Sequence, residues 1–165
     1  MKREYIPGDL VMTNGVPQGT AKDVVYRVTS SDPSKTLKLD DGTVLKGIVC
    51  LENIEDTKLG DKGFLFGDGY AWVKDIVPVP LTWEILEKNG WKFYELHEKI
   101  WWNDDESWIS YNNITKTDIN LRFYTDGNFF LPCLKDKEIS GNSIKYVHEL
   151  QHLLFGLGIN SEMEV

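Results

Sequence analysis

The sequence predicts an α+β fold, in which an N-terminal SH3-like small β-barrel is followed by an antiparallel β-meander packed by a C-terminal helix. Three observations support this prediction. Short apolar runs alternate with glycine turns through the first half. Two prolines stiffen the connector Val77-Pro78-Val79-Pro80. The last apolar run has helical spacing, from about Ser143 to Leu157. We therefore expect a barrel domain over 1–77 and an α+β domain over 78–165.

Composition and charge indicate a folded protein and argue against some partners. The chain has 165 residues, 41% of them hydrophobic, with six Trp, seven Tyr and seven Phe. Its net charge is -8, whereas binding to duplex nucleic acid relies on basic groups that neutralise phosphates. Two distant cysteines, the absence of a signal peptide and the absence of a long apolar stretch predict a cytoplasmic protein without a membrane span.

The first half reads as a series of strands joined by turns. Asn14-Gly15 and Asp40-Asp41-Gly42 are turn signals, and Ser30–Ser34 reads as a loop because it contains a proline. β-branched and aromatic residues favour strands on either side of these turns. The predicted strands are Leu10–Met12, Val24–Val28, Thr36–Leu39, Val44–Val49, Phe64–Phe66 and Tyr70–Val73.

The second half begins with a short helix and continues as a meander. Thr82 is a suitable N-cap for a helix over Trp83–Lys88, and Asn89-Gly90 is a suitable end for it. Alternating patterns then predict a three- or four-stranded antiparallel meander, which the C-terminal helix would cover. The predicted strands lie over 91–102, 108–111, 119–124 and 129–132.

Four aromatic residues of the meander are candidate ligand-binding residues. At strand spacing such side chains usually belong to a core, but exposed aromatic rings can also stack on a base or a sugar. The candidates are Trp101, Trp102, Trp108 and Tyr111.

The C-terminal helix contains the string H-E-x-x-H. On a helix this spacing puts His148 and His152 on one face, as in zinc metallohydrolases, where a glutamate such as Glu149 acts as the general base. A catalytic zinc needs a third protein ligand. No histidine follows His152, Cys133 is too close in sequence to fit the known Cys-containing pattern, and the sequence does not fix the position of His97.

The pattern of the helix favours a packing role over a metal site. Lys145, His148, Glu149 and His152 fall on one polar stripe, as expected of a surface helix, and Lys145 would bring a positive charge near a cation. The opposite face is apolar. We therefore expect no catalytic residue, no metal and no cofactor. The alternative is a zinc site with His148 and His152 as ligands and Glu149 as the base.

Two motifs of the second half resemble a group of small proteins from Bacteroides-type gut bacteria and their phages. One is the element P-L-T-x-E-x-L-x-x-N-G-W over 80–91, and the other is Y-V-H-x-L-Q over 146–151, with Glu52-Asn53-Ile54 as a weaker match upstream. The resemblance implies a phage or mobile-element context and no particular reaction. In that group Asn often stands where this chain has His152, which counts against a family zinc site.

These observations lead to two functional hypotheses. The favoured one is a non-enzymatic phage or mobile-element accessory protein that binds a protein or a small-molecule ligand, and that could counter host defence. The alternative is a zinc-dependent peptidase or amidase that uses the H-E-x-x-H helix.

Overall fold

The computed structural model describes residues 4–54, 70–102, 105–116, 119–124, 129–134, 137–139 and 143–165. For 93–102, 105–116, 124 and 137–138 it describes the backbone alone. The chain forms two compact units. The first unit comprises Met1–Val79 and Tyr146–Met163, and the second comprises Pro80–Lys145 and Glu164–Val165. The first stretch of the first unit thus ends two residues beyond the boundary predicted at 77.

The first unit contains an antiparallel five-stranded sheet. Its strands are β1 (Leu10–Thr13), β2 (Tyr26–Lys38), β3 (Val44–Asn53), β4 (Tyr70–Trp72) and β5 (Ile76–Pro78), with a 3-10 helix at Val73–Asp75. The strand order is β4-β3-β2-β1-β5, so β4 and β5 form the edges. No closed barrel is present among the described residues, and the SH3-like form stays a prediction. The predicted strand Phe64–Phe66 lies outside the described residues.

One face of this sheet carries the core of the first unit. Val28, Val49 and Leu51 are almost completely buried on the two central strands β2 and β3. Burial alternates along these strands, as expected when one face of a sheet is covered. Tyr5 joins the same cluster from the segment before β1.

Strand β2 runs through the segment that the sequence indicates is a loop. Asp32 pairs with Ile48 and Thr36 pairs with Lys46, so three residues of β2, 33–35, lie opposite the single residue Gly47 of β3. This is a β-bulge, in which extra residues of one strand oppose one residue of its neighbour. The loop prediction at Ser30–Ser34 was therefore wrong, because the extra residues around the proline fit within the ladder as a bulge.

The second unit combines a short helix with an antiparallel meander. Helix α1 (Trp83–Lys88) begins and ends as predicted, with Thr82 Oγ1 accepting a hydrogen bond from the Ile85 N–H. Five strands follow in the order β10-β9-β8-β7-β6. They are β6 (Lys92–Trp102), β7 (Asp105–Lys116), β8 (Ile119–Tyr124), β9 (Phe129–Leu134) and β10 (Lys137–Glu138).

Aromatic rings join α1 to this meander. The Trp83 ring lies edge-on to Phe123 on β8 and to Phe130 on β9, with centroids 4.8 and 5.5 Å apart. Edge-to-face pairs at these distances are favourable beyond their buried area. Helix α1 therefore packs on the meander, a role that the sequence pattern predicted for the C-terminal helix.

The C-terminal helix α2 (Val147–Gly156) belongs to the first unit, whereas its place in the sequence indicated a helix packed on the meander. The physical reason is a set of polar contacts between α2 and the chain just before and at the start of β1, described below. The described residues thus form mostly antiparallel sheet with two short α-helices, and the fold is α+β. No helix in the described ranges is long and apolar enough to cross a membrane.

We expect Leu51→Ala to lower the free energy of unfolding of the first unit by about 2–5 kcal/mol, because the substitution removes buried methyl groups and leaves a cavity. Leu51 is 2% exposed. The matched control is Leu37→Ala at an exposed position of β2, with an expected change within about 0.5 kcal/mol. Urea denaturation followed by methyl NMR signals of the first unit checks both values, and equal losses would contradict the assignment of the core.

Candidate functional site

Helix α2 begins four residues later than the predicted start at Ser143. Ile144 is in extended backbone and exchanges two hydrogen bonds with Phe130, at 2.9 and 2.7 Å. Because the N–H and C=O groups of Ile144 are both bonded to Phe130, they cannot form the hydrogen bonds of a helix. The first helical residue is Val147, whose N–H donates to the Val79 carbonyl.

His148, the first histidine of the motif, is buried and does not lie on a solvent-exposed stripe. It is 4% exposed. Its ring lies 5.2 Å from the Tyr5 ring and stacks on the Tyr146 ring at 5.9 Å, with an interplanar angle of 15° for the second pair. The predicted polar stripe was therefore wrong at this position. The imidazole packs among aromatic rings as part of the interior.

Glu149, the candidate general base, lies at the N-terminus of α2. Its carboxylate accepts a hydrogen bond from the Tyr146 N–H at 3.2 Å. A negative side chain in the first turn also interacts favourably with the helix dipole. This geometry gives Glu149 a role in starting the helix.

His152, the second histidine, pairs with a carboxylate that lies 143 residues earlier. Its Nε2 is 2.9 Å from each carboxylate oxygen of Asp9. Asp9 is almost completely buried, and its Oδ2 also accepts from the Ile6 N–H at 2.9 Å. A buried carboxylate must be compensated by partners of this kind. The pair therefore holds α2 against the turn that precedes β1.

The hydrogen bond with Asp9 raises the pKa of His152 above its ordinary value of 6.5. The negative charges of Asp9 and Glu149 act in the same direction, whereas burial opposes them. Protonation strengthens the contact because a charged imidazolium then faces a carboxylate.

Gln151 is a structural residue that the sequence analysis did not identify. Its Oε1 accepts from the Leu10 N–H at 2.9 Å, and its Nε2 donates to the carbonyls of Gly8 and Ser161 at 3.0 and 3.2 Å. One buried amide thus satisfies three backbone groups. The signal in the sequence was its position at the centre of the apolar face, beside Leu150 and Leu154.

The zinc hypothesis has no completed ligand set in the part of the chain that the structure describes. No group of three His, Cys, Asp or Glu side chains there could hold a metal ion. The rings of His148 and His152 lie 5.8 Å apart, edge to face. Cys133 lies on β9 of the second unit, and the side chain of His97 lies outside the described part. The zinc alternative stays a prediction, which metal analysis of the untagged protein would check.

The four candidate aromatic residues lie on β6 and β7. The backbone register pairs Lys99 with Trp108 and Leu96 with Tyr111, and it places Trp101 and Trp102 opposite Glu106 and Asp105. Their side chains lie outside the described part of the structure, so the stacking platform stays a prediction.

The β-bulge creates a cleft in the first unit, which we call the bulge cleft. Its volume is about 230 Å³, and most of its surface is apolar. Glu4, Ser31 and Lys46 supply its polar groups. Its other lining residues are Tyr5, Pro33, Gly47, Ile48, Val49 and Val73.

Gly47 is the residue that allows this cleft to form. Its φ is +71°, a conformation that favours glycine. A Cβ at this position would also lie 3.0 Å from Val73 Cγ2. Glycine inside a strand is typical of a bulge or of a close approach by another group.

A smaller cleft of about 150 Å³ lies beside Asp9 and Gln151. Arg27, Phe155 and Glu162 contribute to its wall. The backbone groups around it are largely used internally: the Leu10 N–H and the Gly8 carbonyl are bound by Gln151, and the Asp9 N–H donates to the Ile6 carbonyl. The backbone around this cleft therefore offers few free groups to a ligand.

Comparisons with protein-family models, with curated proteins and with solved structures give no match to this chain.

We expect the stability of the first unit to fall as pH rises through the raised pKa of His152. The folded state holds the imidazolium proton more tightly than the unfolded chain, so the stabilisation is complete below about pH 6.5 and is lost above the folded-state pKa. Denaturation of the wild type over about pH 5.5–9 measures this loss.

His152→Gln and Asp9→Asn should each remove this component of the pH dependence, and the double variant should remove no more than either single variant. An NMR titration of the His152 ring gives its pKa directly. A slope above about pH 6.5 that persists unchanged in His152→Gln would contradict the assignment.

Proposed function

We propose that this chain is a non-enzymatic binding protein that recognises a partner protein by taking one of its apolar side chains into the bulge cleft. The observation that carries the proposal is this cleft, an apolar concavity beside the core with few polar groups. Such concavities are the usual starting point for a binding site.

The size of the cleft favours a side chain over a free small molecule. Clefts that enclose drug-sized ligands measure about 300–1,000 Å³. A cavity of about 150 Å³ holds a benzene molecule. At about 230 Å³ the bulge cleft has room for one aromatic ring or one branched aliphatic group.

The charges at the rim of the bulge cleft balance each other, which favours an apolar occupant. Glu4 and Lys46 are both exposed and have opposite signs, so the rim has no net preference for a cation or an anion. Tyr5, Ile48 and Val73 supply apolar surface. Interfaces concentrate their binding energy in such apolar anchor sites.

The contacts of the H-E-x-x-H residues favour binding over catalysis. Glu149 caps α2, and His152 is held by Asp9. Both groups therefore already have structural partners. In the phage or mobile-element context that the sequence resemblance implies, the partner would be a host protein, and its capture would counter host defence.

We expect N-acetylphenylalaninamide to bind with a Kd on the order of a millimolar, and N-acetylalaninamide not to bind measurably, because only the larger side chain fills the cleft. Two-dimensional ¹H–¹⁵N NMR titration should show shifts centred on Gly47, Ile48 and Val73.

A pair of adjacent serines provides the matched variants. Ser31 lines the cleft, whereas Ser30 is exposed and lies outside it. Ser31→Tyr should fill the cleft and abolish the shifts, and Ser30→Tyr should leave them unchanged. Binding that survives Ser31→Tyr, or shifts centred elsewhere, would refute the site.

A further inference from the structure

The edge of β3 beside the bulge cleft has backbone groups that point away from β2. The Leu39 N–H donates to the Thr43 carbonyl, so residues 39 and 43 form a hydrogen-bonded position of the hairpin. Such positions alternate along an antiparallel ladder. Given the pairs Lys38–Val44 and Thr36–Lys46, the N–H and C=O groups of Val44 and Lys46 face outward.

The residues of β3 directly beyond Gly47 are already paired with β4. Ile48 and Cys50 lie opposite Trp72 and Tyr70 of β4. Strand β4 ends at Trp72, and the chain then turns into the 3-10 helix at Val73–Asp75. No described residue continues the line of β4 past Val44 and Lys46. Within the described part of the first unit, the sheet therefore has an open position directly in line with β4.

This open position adjoins the bulge cleft. Lys46, Gly47 and Ile48 of β3 line the cleft, and Val73 lies where β4 stops. Val44 is 49% exposed, so the edge is accessible. An extended segment that continued the line of β4 would pass the cleft and could place one side chain in it, because side chains alternate along a strand.

We propose that the partner presents an extended segment that adds to the sheet at Val44–Lys46 and inserts an apolar side chain into the bulge cleft. This inference rests on the proposed function and specifies its mode. Strand addition gains affinity from main-chain hydrogen bonds and specificity from pockets that take individual side chains. The edge and the cleft supply these two elements side by side.

The geometry selects an extended protein segment as the occupant. The open edge offers main-chain donors and acceptors over only three residues, and the cleft has room for one side chain. A free small molecule would use only the cleft. A second copy paired antiparallel through its own Val44–Lys46 would place Val44 opposite Lys46 and would form a dimer, which sedimentation detects.

The test uses the blocked peptide acetyl-Thr-Val-Phe-Val-Thr-amide, with Ala in place of Phe as control. The Phe peptide should bind at least about tenfold more tightly than N-acetylphenylalaninamide, because it adds main-chain hydrogen bonds. It should also slow hydrogen exchange of the Val44 and Lys46 amides, a readout that side-chain binding alone would not change. The Ala peptide should bind weakly.

Val44→Pro and Val44→Ala separate strand addition from side-chain binding. Proline removes an outward N–H that β2 does not use, so the β2–β3 ladder should persist. Val44→Pro should reduce peptide affinity to that of N-acetylphenylalaninamide, whose own binding stays unchanged. Val44→Ala keeps the N–H and should keep the tenfold gain. If Val44→Pro does not fold, a peptide N-methylated at the residues flanking Phe replaces it and should lose the same gain.

Each outcome bears on one proposal. Equal peptide binding by wild type and Val44→Pro, or unchanged exchange at Val44 and Lys46, overturns strand addition and leaves the cleft intact. Failure of N-acetylphenylalaninamide to bind overturns the proposed function itself. A dimer in sedimentation that Val44→Pro dissociates would make a second copy the occupant and would overturn the proposal of a separate partner.

Discussion

The buried carboxylate of Asp9 is the group on which the arrangement of the first unit depends. An ionised carboxyl group out of contact with water is very unfavourable unless donors surround it. The Ile6 N–H and the His152 ring supply donors from both sides. The carboxylate thereby fixes the turn before β1 and the position of α2 together. Removal of either donor would leave the buried carboxylate less well compensated and would destabilise the first unit.

Gln151 complements this charged contact with a neutral one. Its amide binds the backbone of Gly8 and Leu10 on either side of Asp9. Adjacent residues of α2 therefore hold three consecutive residues of the chain at the start of β1. The apolar face of α2, with Val147, Leu150 and Leu154, then adds buried area. Polar contacts set the position of the helix, and apolar burial supplies much of the stabilisation.

The first unit also contains the β-bulge between β2 and β3, which affects its surface and not the position of α2. Residues 33–35 of β2, which lie opposite the single residue Gly47, and the left-handed backbone of Gly47 break the ladder where β4 ends. A regular hairpin would have a continuous surface there. The break produces a concavity next to unpaired main-chain groups, the combination that strand-adding partners use. The break begins after Asp32, at one of the two register shifts of the β2–β3 hairpin.

Local signals in the sequence predicted the elements whose causes are local. Helix α1 follows from Thr82 as N-cap and Asn89-Gly90 as C-cap, and the turn at Asp40-Asp41-Gly42 follows from the glycine at positive φ. The bulge was missed because a proline usually ends a strand.

The contacts of α2 were missed for a different reason. Nothing near His152 or Gln151 in the sequence identifies a partner 143 residues away. The burial of His148 follows from Tyr5, which is equally distant. Periodicity identified the helix but could not identify which sheet it would join.

The first unit is discontinuous in the sequence, and Pro80–Lys145 of the second unit lies between its two stretches. A ribosome that adds about 5–20 residues per second completes Met1–Val79 several seconds before Tyr146–Met163 is synthesised. During that interval Asp9 lacks its imidazole donor, and the Gly8 and Leu10 backbone lacks the Gln151 amide. The stretch Pro80–Lys145 of the second unit can fold before α2 of the first unit is synthesised. The order of synthesis therefore places the closure of the first unit after the synthesis of Pro80–Lys145.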